Sequence, residues 1–443
     1  MMPNHDNLVK TLLSDSIGRN EEIYHLIRII NAVEGAYSIA IDGRWGSGKT
    51  FFVRQAKMVL DAHNEYTQIK HGLTKTEIDE IKLLWLNLCK CTGRTEHWVP
   101  TSKVCVYINA WEYDNDENPI ASLLYQISKD VSSCYSFKSE RNYLEIASSV
   151  LDLLSGKNYK NIIEAIKTQS FTDSSKECYE LREQINEYFN ELLPERGERL
   201  ILFVDELDRC NPSYAVALLE KIKHYFDNDK ITFVFSVNLK QLQHTIRQHY
   251  GNGFDAYKYL DRFFDITIPM PSVKWKKFYE LSGYDAYHPF YETVDVTIKY
   301  FNMEMREVSR YLETLRIITS RQLHDNQSTF DKSFCYHYII PVALALYKND
   351  LELYEKFVVG EFCQPLVDIL SHTNLEHQVM EIIMSHQEER GRLPERIKDV
   401  YNALFIKAKN KESQTIGRLN IRPATLDCYR NTIGILNRTS NTE

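Results

Sequence analysis

The stretch Tyr37–Val53, reading YSIAIDGRWGSGKTFFV, decides the fold. Tyr37-Ser38-Ile39-Ala40-Ile41 is an apolar run of the length of a buried strand. Gly43-Arg44-Trp45-Gly46-Ser47-Gly48-Lys49-Thr50 then fits the spacing G-x-x-x-x-G-K-[ST]. Phe52, Val53, Ala56, Val59 and Leu60 follow at helical spacing. A strand, a glycine-rich turn and a helix in this order form a phosphate-binding loop, or P-loop. Glycines let the backbone curl so that successive N–H groups face one concavity. The helix N-terminus adds partial positive charge at the same point. Gly43 through Phe51 are therefore the candidate nucleotide-binding residues. Lys49 reaches the β and γ phosphates in this reading, and the Thr50 hydroxyl holds Mg²⁺.

Working outward, Arg199–Val204 is a second buried-strand signature and ends in Asp205-Glu206. This is a Walker-B pattern. Asp205 stands as a candidate Mg²⁺ ligand through water. Glu206, one residue on, is the candidate that orients and polarises an attacking water. Asn211-Pro212 then starts a helix. Ile231–Val237 is a third buried strand and ends at Asn238. That amide has two open roles: a sensor of the γ-phosphate, or the N-cap of the helix from Leu239. Val104–Ile108 and Asp265–Ile268 are further strand candidates, the last closed by Pro269-Met270-Pro271. Strands alternating with helices predict an α/β fold, a parallel sheet covered by helices.

Arg262, just before the last of these strands, is a candidate arginine finger for a neighbouring subunit. The other reading is an intramolecular pair with Asp261 or Asp265. Asn302 is read as the cap of a helix whose buried stripe is Val308, Tyr311, Leu312 and Leu315. Arg306 and Arg310 lie one turn apart on it, either leaning over the phosphates or forming a solvated basic face. Asn20 is read as the N-cap of a helix carrying Ile23, Leu26, Ile27 and Ile30. From residue 272 onward the patterns are helical, with no convincing strand. The predicted organisation is thus a P-loop core over 1–271, a helical lid over 272–325 and a C-terminal helical domain over 326–443. Helical insertions are expected in the core at about 63–102 and 135–197.

Composition narrows the classes. The chain has 443 residues, 43% hydrophobic and 26% charged, with a formal net charge of -8, an ordinary globular balance. The acidic total argues against binding nucleic acid by charge alone. The nine cysteines are an odd number without framework spacing. The amino terminus lacks the pattern of a secretion signal, so a reducing cytoplasm is expected. No apolar run approaches the ~18 residues of a membrane helix. Cys89, Cys91 and His97 make at most half a zinc knuckle.

The combined motifs resemble the KAP family of P-loop NTPases. The resemblance rests on G-x-W-G-x-G-K-[ST] at Gly43–Thr50, N-A-W at Asn109–Trp111, and Asp205-Glu206-Leu207-Asp208-Arg209-Cys210-Asn211-Pro212 against the family's D-D-L-D-R-C-x-P. Tyr259–Arg262 is similar to its Y-L-[DE]-[RK] segment. The resemblance covers about 10–320. It implies an additional-strand, AAA+/STAND-like core that binds ATP and Mg²⁺. Glu206 replaces the family's usual second Asp, which favours hydrolysis. The transmembrane helices that many members insert between the Walker motifs are not legible here. Soluble bacterial relatives are associated with phage exclusion and defence. Gly18-Arg19 resembles the adenine-side segment of AAA+ ATPases. With Arg262 and Arg306 it implies a site completed by a second subunit and by the C-terminal helices, and ATP rather than GTP.

Three functions follow as expectations. The first is an ATP-hydrolysing oligomeric switch acting on a separate effector protein. The second is a nucleotide-gated scaffold with little turnover. The third is a DNA-acting loader-type ATPase, which the acidic charge disfavours.

Overall fold

The computed structural model describes residues 2–66, 72–91, 98–116, 118–134, 182–190, 192–193, 197–226, 228–284, 291–320, 329–384 and 390–437. Five strands carry the amino-terminal part: β1 (Tyr37–Asp42), β2 (Lys103–Asn109), β3 (Arg199–Asp205), β4 (Ile231–Val237) and β5 (Ile266–Pro269). Their order across the sheet is β2-β3-β4-β1-β5, and every pair is parallel. β4 therefore lies between the P-loop strand and the Walker-B strand, the additional-strand arrangement that the resemblance implied.

The central strands are apolar throughout because helices cover both faces of the sheet. Helices α1 (His5–Leu13), α2 (Asn20–Ala32), α3 (Lys49–His63) and α4 (Lys75–Cys91) pack together, with α3 laid across the strands. Alternate strand residues, among them Val106, Leu202, Val204, Phe233 and Phe235, join a core with α5 (Pro119–Cys134), α6 (Pro212–Tyr225) and α7 (Leu239–Tyr250). The helical segment 182–190 adds Ile185, Tyr188 and Phe189 to it. Most of the insertion expected at 135–197, residues 135–181, lies outside the described residues.

Local chemistry sets several boundaries. Asn211 accepts a hydrogen bond from the Ser213 N–H, and Pro212 opens α6, as read from the sequence. Asn20 is not the cap of α2. It is the first helical residue, its N–H bonded to Asp15 Oδ1 (3.1 Å) and its amide donating to Leu12 O (2.7 Å). It fastens α2 to the end of α1 from a buried position.

The chain divides into two compact units, Met1–Lys274 and Trp275–Glu443. The second unit contains the helices Tyr291–Tyr300, Met305–Ser320, Ile340–Asn349, Leu393–Asn402 and Pro423–Asn437 among others. Val308, Tyr311, Leu312 and Leu315 are buried as read. Asn302 is not the cap of the helix they lie on. It takes a left-handed φ of 49° and donates its N–H to Lys299 O (3.1 Å), terminating the preceding helix. Asn is one of the few residues that tolerates that conformation. The expectation of helices alone after 272 needs a second correction. β6 (Gln414–Ile416) and β7 (Leu419–Ile421) form an antiparallel hairpin. Gly417, at φ 54°, supplies the turn. Strands of three residues are too short to show an alternation.

Candidate functional site

Because all five strands run in parallel, their carboxyl ends share one edge, where open α/β sheets bind ligands. The P-loop follows β1, Asn109–Trp111 follows β2, Asp205–Glu206 closes β3, Asn238 follows β4 and Met270 follows β5. The loop curls through Gly46 (φ 85°) and Gly48 (φ 89°), values that only glycine adopts at little cost. Lys49, 8% exposed, lies across it and donates to Gly43 O (2.7 Å) and Arg44 O (3.3 Å). Burial lowers the Lys49 pKa, while Asp208, Asp205 and Glu206 act to keep it charged.

The Thr50 hydroxyl donates to Asp205 Oδ2 at 2.6 Å. The two residues read from sequence as metal-holding thus meet, although their strands are separated by β4. Asp205 is 1% exposed. The same Oδ2 accepts the Tyr107 hydroxyl (2.9 Å), and Oδ1 accepts the Glu206 N–H (3.0 Å). Tyr107 was not anticipated. Its only sequence signal is a polar-tipped aromatic two residues from the end of an apolar strand. Burial, and then the proximity of Asp205, raise its pKa and keep it a donor.

Glu206 has a left-handed backbone, φ 62°, an uncommon state for a residue with a side chain. Burial first, and the charge of Asp205 second, raise its pKa. Its carboxylate pairs with the Arg209 guanidinium. Arg209 in turn lies over the rings of Trp45 and Trp111, each at 5.7 Å. The Trp45 indole N–H donates to the buried Asp208. The three family-like motifs therefore form one cluster.

The other candidates are placed as follows. Asn238 caps α7 by accepting from the Gln241 N–H (3.2 Å); its amide nitrogen has no partner among the described residues. Arg19 is buried and donates to the P-loop carbonyl of Ser47 (2.8 Å), holding the loop from below. Gly18 lies beside Lys274, whose N–H bonds Ile17 O (3.2 Å). The Phe51 side chain is buried in the core, so only its backbone is left to serve a ligand. Arg44 is exposed. Arg262 is exposed and forms no ion pair among the described residues, which removes the pairing with Asp261 or Asp265. It sits at the amino end of β5, the edge opposite the P-loop. Arg306 and Arg310 are exposed on the helix Met305–Ser320 of the second unit. Cys89 is buried, its thiol directed to Trp98 O (3.6 Å); the Cys91 side chain and His97 lie outside the described residues. No cluster of three or more His, Cys, Asp or Glu suited to a metal occurs among the described residues. None of the described helices is long and apolar enough to cross a membrane.

No curated protein sequence matches the chain. Among solved structures it is similar to the Aeropyrum pernix ORC2 protein in ADPNP–ADP complexes, at 12% identity over 87% of this chain and 94% of that one, with a TM-score of 0.34. It is also similar to C. elegans PCH-2, at 10% identity over 88% of this chain and 68% of that one, with a TM-score of 0.22. The KAP family P-loop domain matches residues 19–281. That span exceeds half of the chain and contains the P-loop, the Walker-B strand and the tryptophan cluster, so the chain belongs to the KAP family of P-loop NTPases.

Proposed function

We propose that the chain binds ATP with Mg²⁺ at this edge and hydrolyses it by in-line attack of water on the γ-phosphoryl group. The observation that carries the reading is the 2.6 Å contact between Thr50 Oγ1 and Asp205 Oδ2, beside Lys49 and Glu206. Hydroxyl and carboxylate oxygens at one point fit Mg²⁺, which binds few protein oxygens and keeps phosphate and water for the rest. Bound Mg²⁺ would neutralise charge on the β and γ phosphates.

Within this reading Lys49 exchanges its loop carbonyls for phosphate oxygens. Asp205 and Thr50 hold the metal. Glu206, its pKa raised by burial, orients and polarises the water. The Asn238 amide nitrogen donates to the γ-phosphate or the water. The Gly18–Arg19 segment and the lack of a guanine-reading N-K-x-D pattern favour ATP. Arg262 supplies charge to a neighbouring subunit's site. A site completed in this way makes the protein an oligomeric switch, its nucleotide state read by a separate effector. Kinship with soluble bacterial KAP proteins points that switch toward antiviral defence.

The test is Mg²⁺-dependent ATP turnover by purified protein. Lys49→Ala should abolish nucleotide binding. Glu206→Gln should bind ATP and lose turnover; retained turnover would remove Glu206 from the mechanism. A second reading, a nucleotide-gated scaffold, is favoured by one observation: the Glu206 carboxylate is already paired with Arg209. Tight ATP binding with negligible turnover would establish it.

A further inference from the structure

Trp111 and Arg209 have no role in the hydrolysis scheme, and Trp45 has none there beyond its place in the P-loop. They come from three loops, after β1, β2 and β3: the two rings meet at Arg209, and Arg209 pairs with Glu206. Trp45 and Trp111 are 45% and 52% exposed. Rings left half in water gain only part of the burial that a core position provides, so burial alone does not explain them. The P-loop strand and the Walker-B strand are two positions apart in the sheet, about 10 Å. An indole is long enough to cross much of that gap and carries a donor at its far side, which Trp45 uses on Asp208. A guanidinium is planar and stacks on aromatic rings, whereas an ammonium has no plane.

We propose that Arg209 is a positioning residue that holds the Glu206 carboxylate in place for the attacking water, and that Trp45 and Trp111 hold Arg209. This rests on the hydrolysis reading. Glu206 is the third residue before Arg209, and the Arg209 N–H donates to Glu206 O (3.0 Å). The tight turn therefore fastens the left-handed Glu206 backbone while the ion pair fastens its side chain. Without Arg209 the carboxylate keeps its place in the sequence and loses its direction. An orientation error at the reacting group costs rate without costing substrate affinity.

The experiment measures kcat, KM and the affinity for a fluorescent ATP analogue in the full chain. Arg209→Ala should lower kcat by on the order of 10- to 100-fold, with KM and affinity within about twofold. Arg209→Lys should regain little, because it keeps the charge and loses the plane. Trp111→Ala should fall in the same direction, and Trp111→Phe should recover part of the loss. The double variant Arg209→Ala/Trp111→Ala should be no slower than Arg209→Ala alone. The inference is overturned if Arg209→Ala keeps wild-type kcat or raises it, the latter making Arg209 a restraint. It is overturned equally if affinity falls as far as kcat. Should Arg209→Ala fail to fold, Trp111→Ala against Trp111→Phe decides the matter: equal rates in both refute it. A wild-type chain that binds ATP and never turns it over ends the hydrolysis reading, and this role for Arg209 with it. An Arg209→Ala variant indistinguishable from an active wild type ends this role alone.

Discussion

Arg262 offers the sharpest test of the oligomeric reading. β5 pairs with β1 in parallel register, Ile39 with Ile266 through Asp42 with Pro269. The Asp265 N–H bonds Ser38 O at the foot of β1 (2.9 Å). From Ser38 to Asp42 the strand rises four steps, about 13 Å at about 3.3 Å per residue. The phosphate loop begins beyond that point and Arg262 lies below its start, so the side chain cannot reach its own site. Its role, if catalytic, is in trans. Arg262→Ala should then lose turnover while binding ATP. Lys49→Ala should lose binding while still offering its arginine. In an equal mixture that exchanges at random, about one half of the subunits carry an intact P-loop. About one half of their neighbours carry Arg262. Turnover should return to about a quarter of the wild-type rate from two dead proteins. The assay is phosphate release at a fixed total concentration above the assembly threshold. A mixture that stays inactive would refute the trans assignment, and so would Arg262→Ala alone turning over at the wild-type rate.

Two further outcomes follow from the geometry. Tyr107→Phe removes the hydroxyl that donates to Asp205 Oδ2. The Mg²⁺ needed for half-maximal ATP binding should rise about 10-fold, as expected for a partner of a metal-holding carboxylate; an unchanged Mg²⁺ requirement would show that the hydroxyl does not orient Asp205. His63 is buried, donates from Nδ1 to Val59 O (2.8 Å) when neutral, and has its pKa lowered first by burial. The unfolded chain, near 6.5, therefore takes the proton before the folded one does. The stability that His63 contributes is present above about pH 6.5 and is lost as pH falls further. The thermal midpoint should drop more between pH 7.5 and 5.5 in the wild type than in His63→Gln; equal drops would show that His63 is not the titrating group.

The P-loop and the Walker-B carboxylates were legible because each motif is contiguous and its neighbours are strand or helix by composition. Tyr37–Asp42, Arg199–Asp205 and Ile231–Val237 stood out as apolar runs because they are buried on both faces. The hairpin Gln414–Ile421 did not stand out, since its strands hold three residues each. Asn20 and Asn302 were misread for a shared reason. Asparagine serves as a helix cap, a left-handed terminator and a side-chain staple, and the residue alone does not say which.

What the sequence determined by itself is the chemistry available at the ends of the strands: glycines, Lys49 and Thr50 in one loop, Asp205 and Glu206 in another. These depend on local backbone conformation and on residue type. The tertiary structure decided which of them touch. The order of strands placed β4 between the two motifs, brought Thr50 to Asp205, added Tyr107 from the strand on the other side, gathered Trp45 and Trp111 about Arg209, the partner of Glu206, and set Arg262 at the opposite edge. Those contacts join segments far apart in the chain. They are set by how buried faces pack, which no single stretch of sequence encodes.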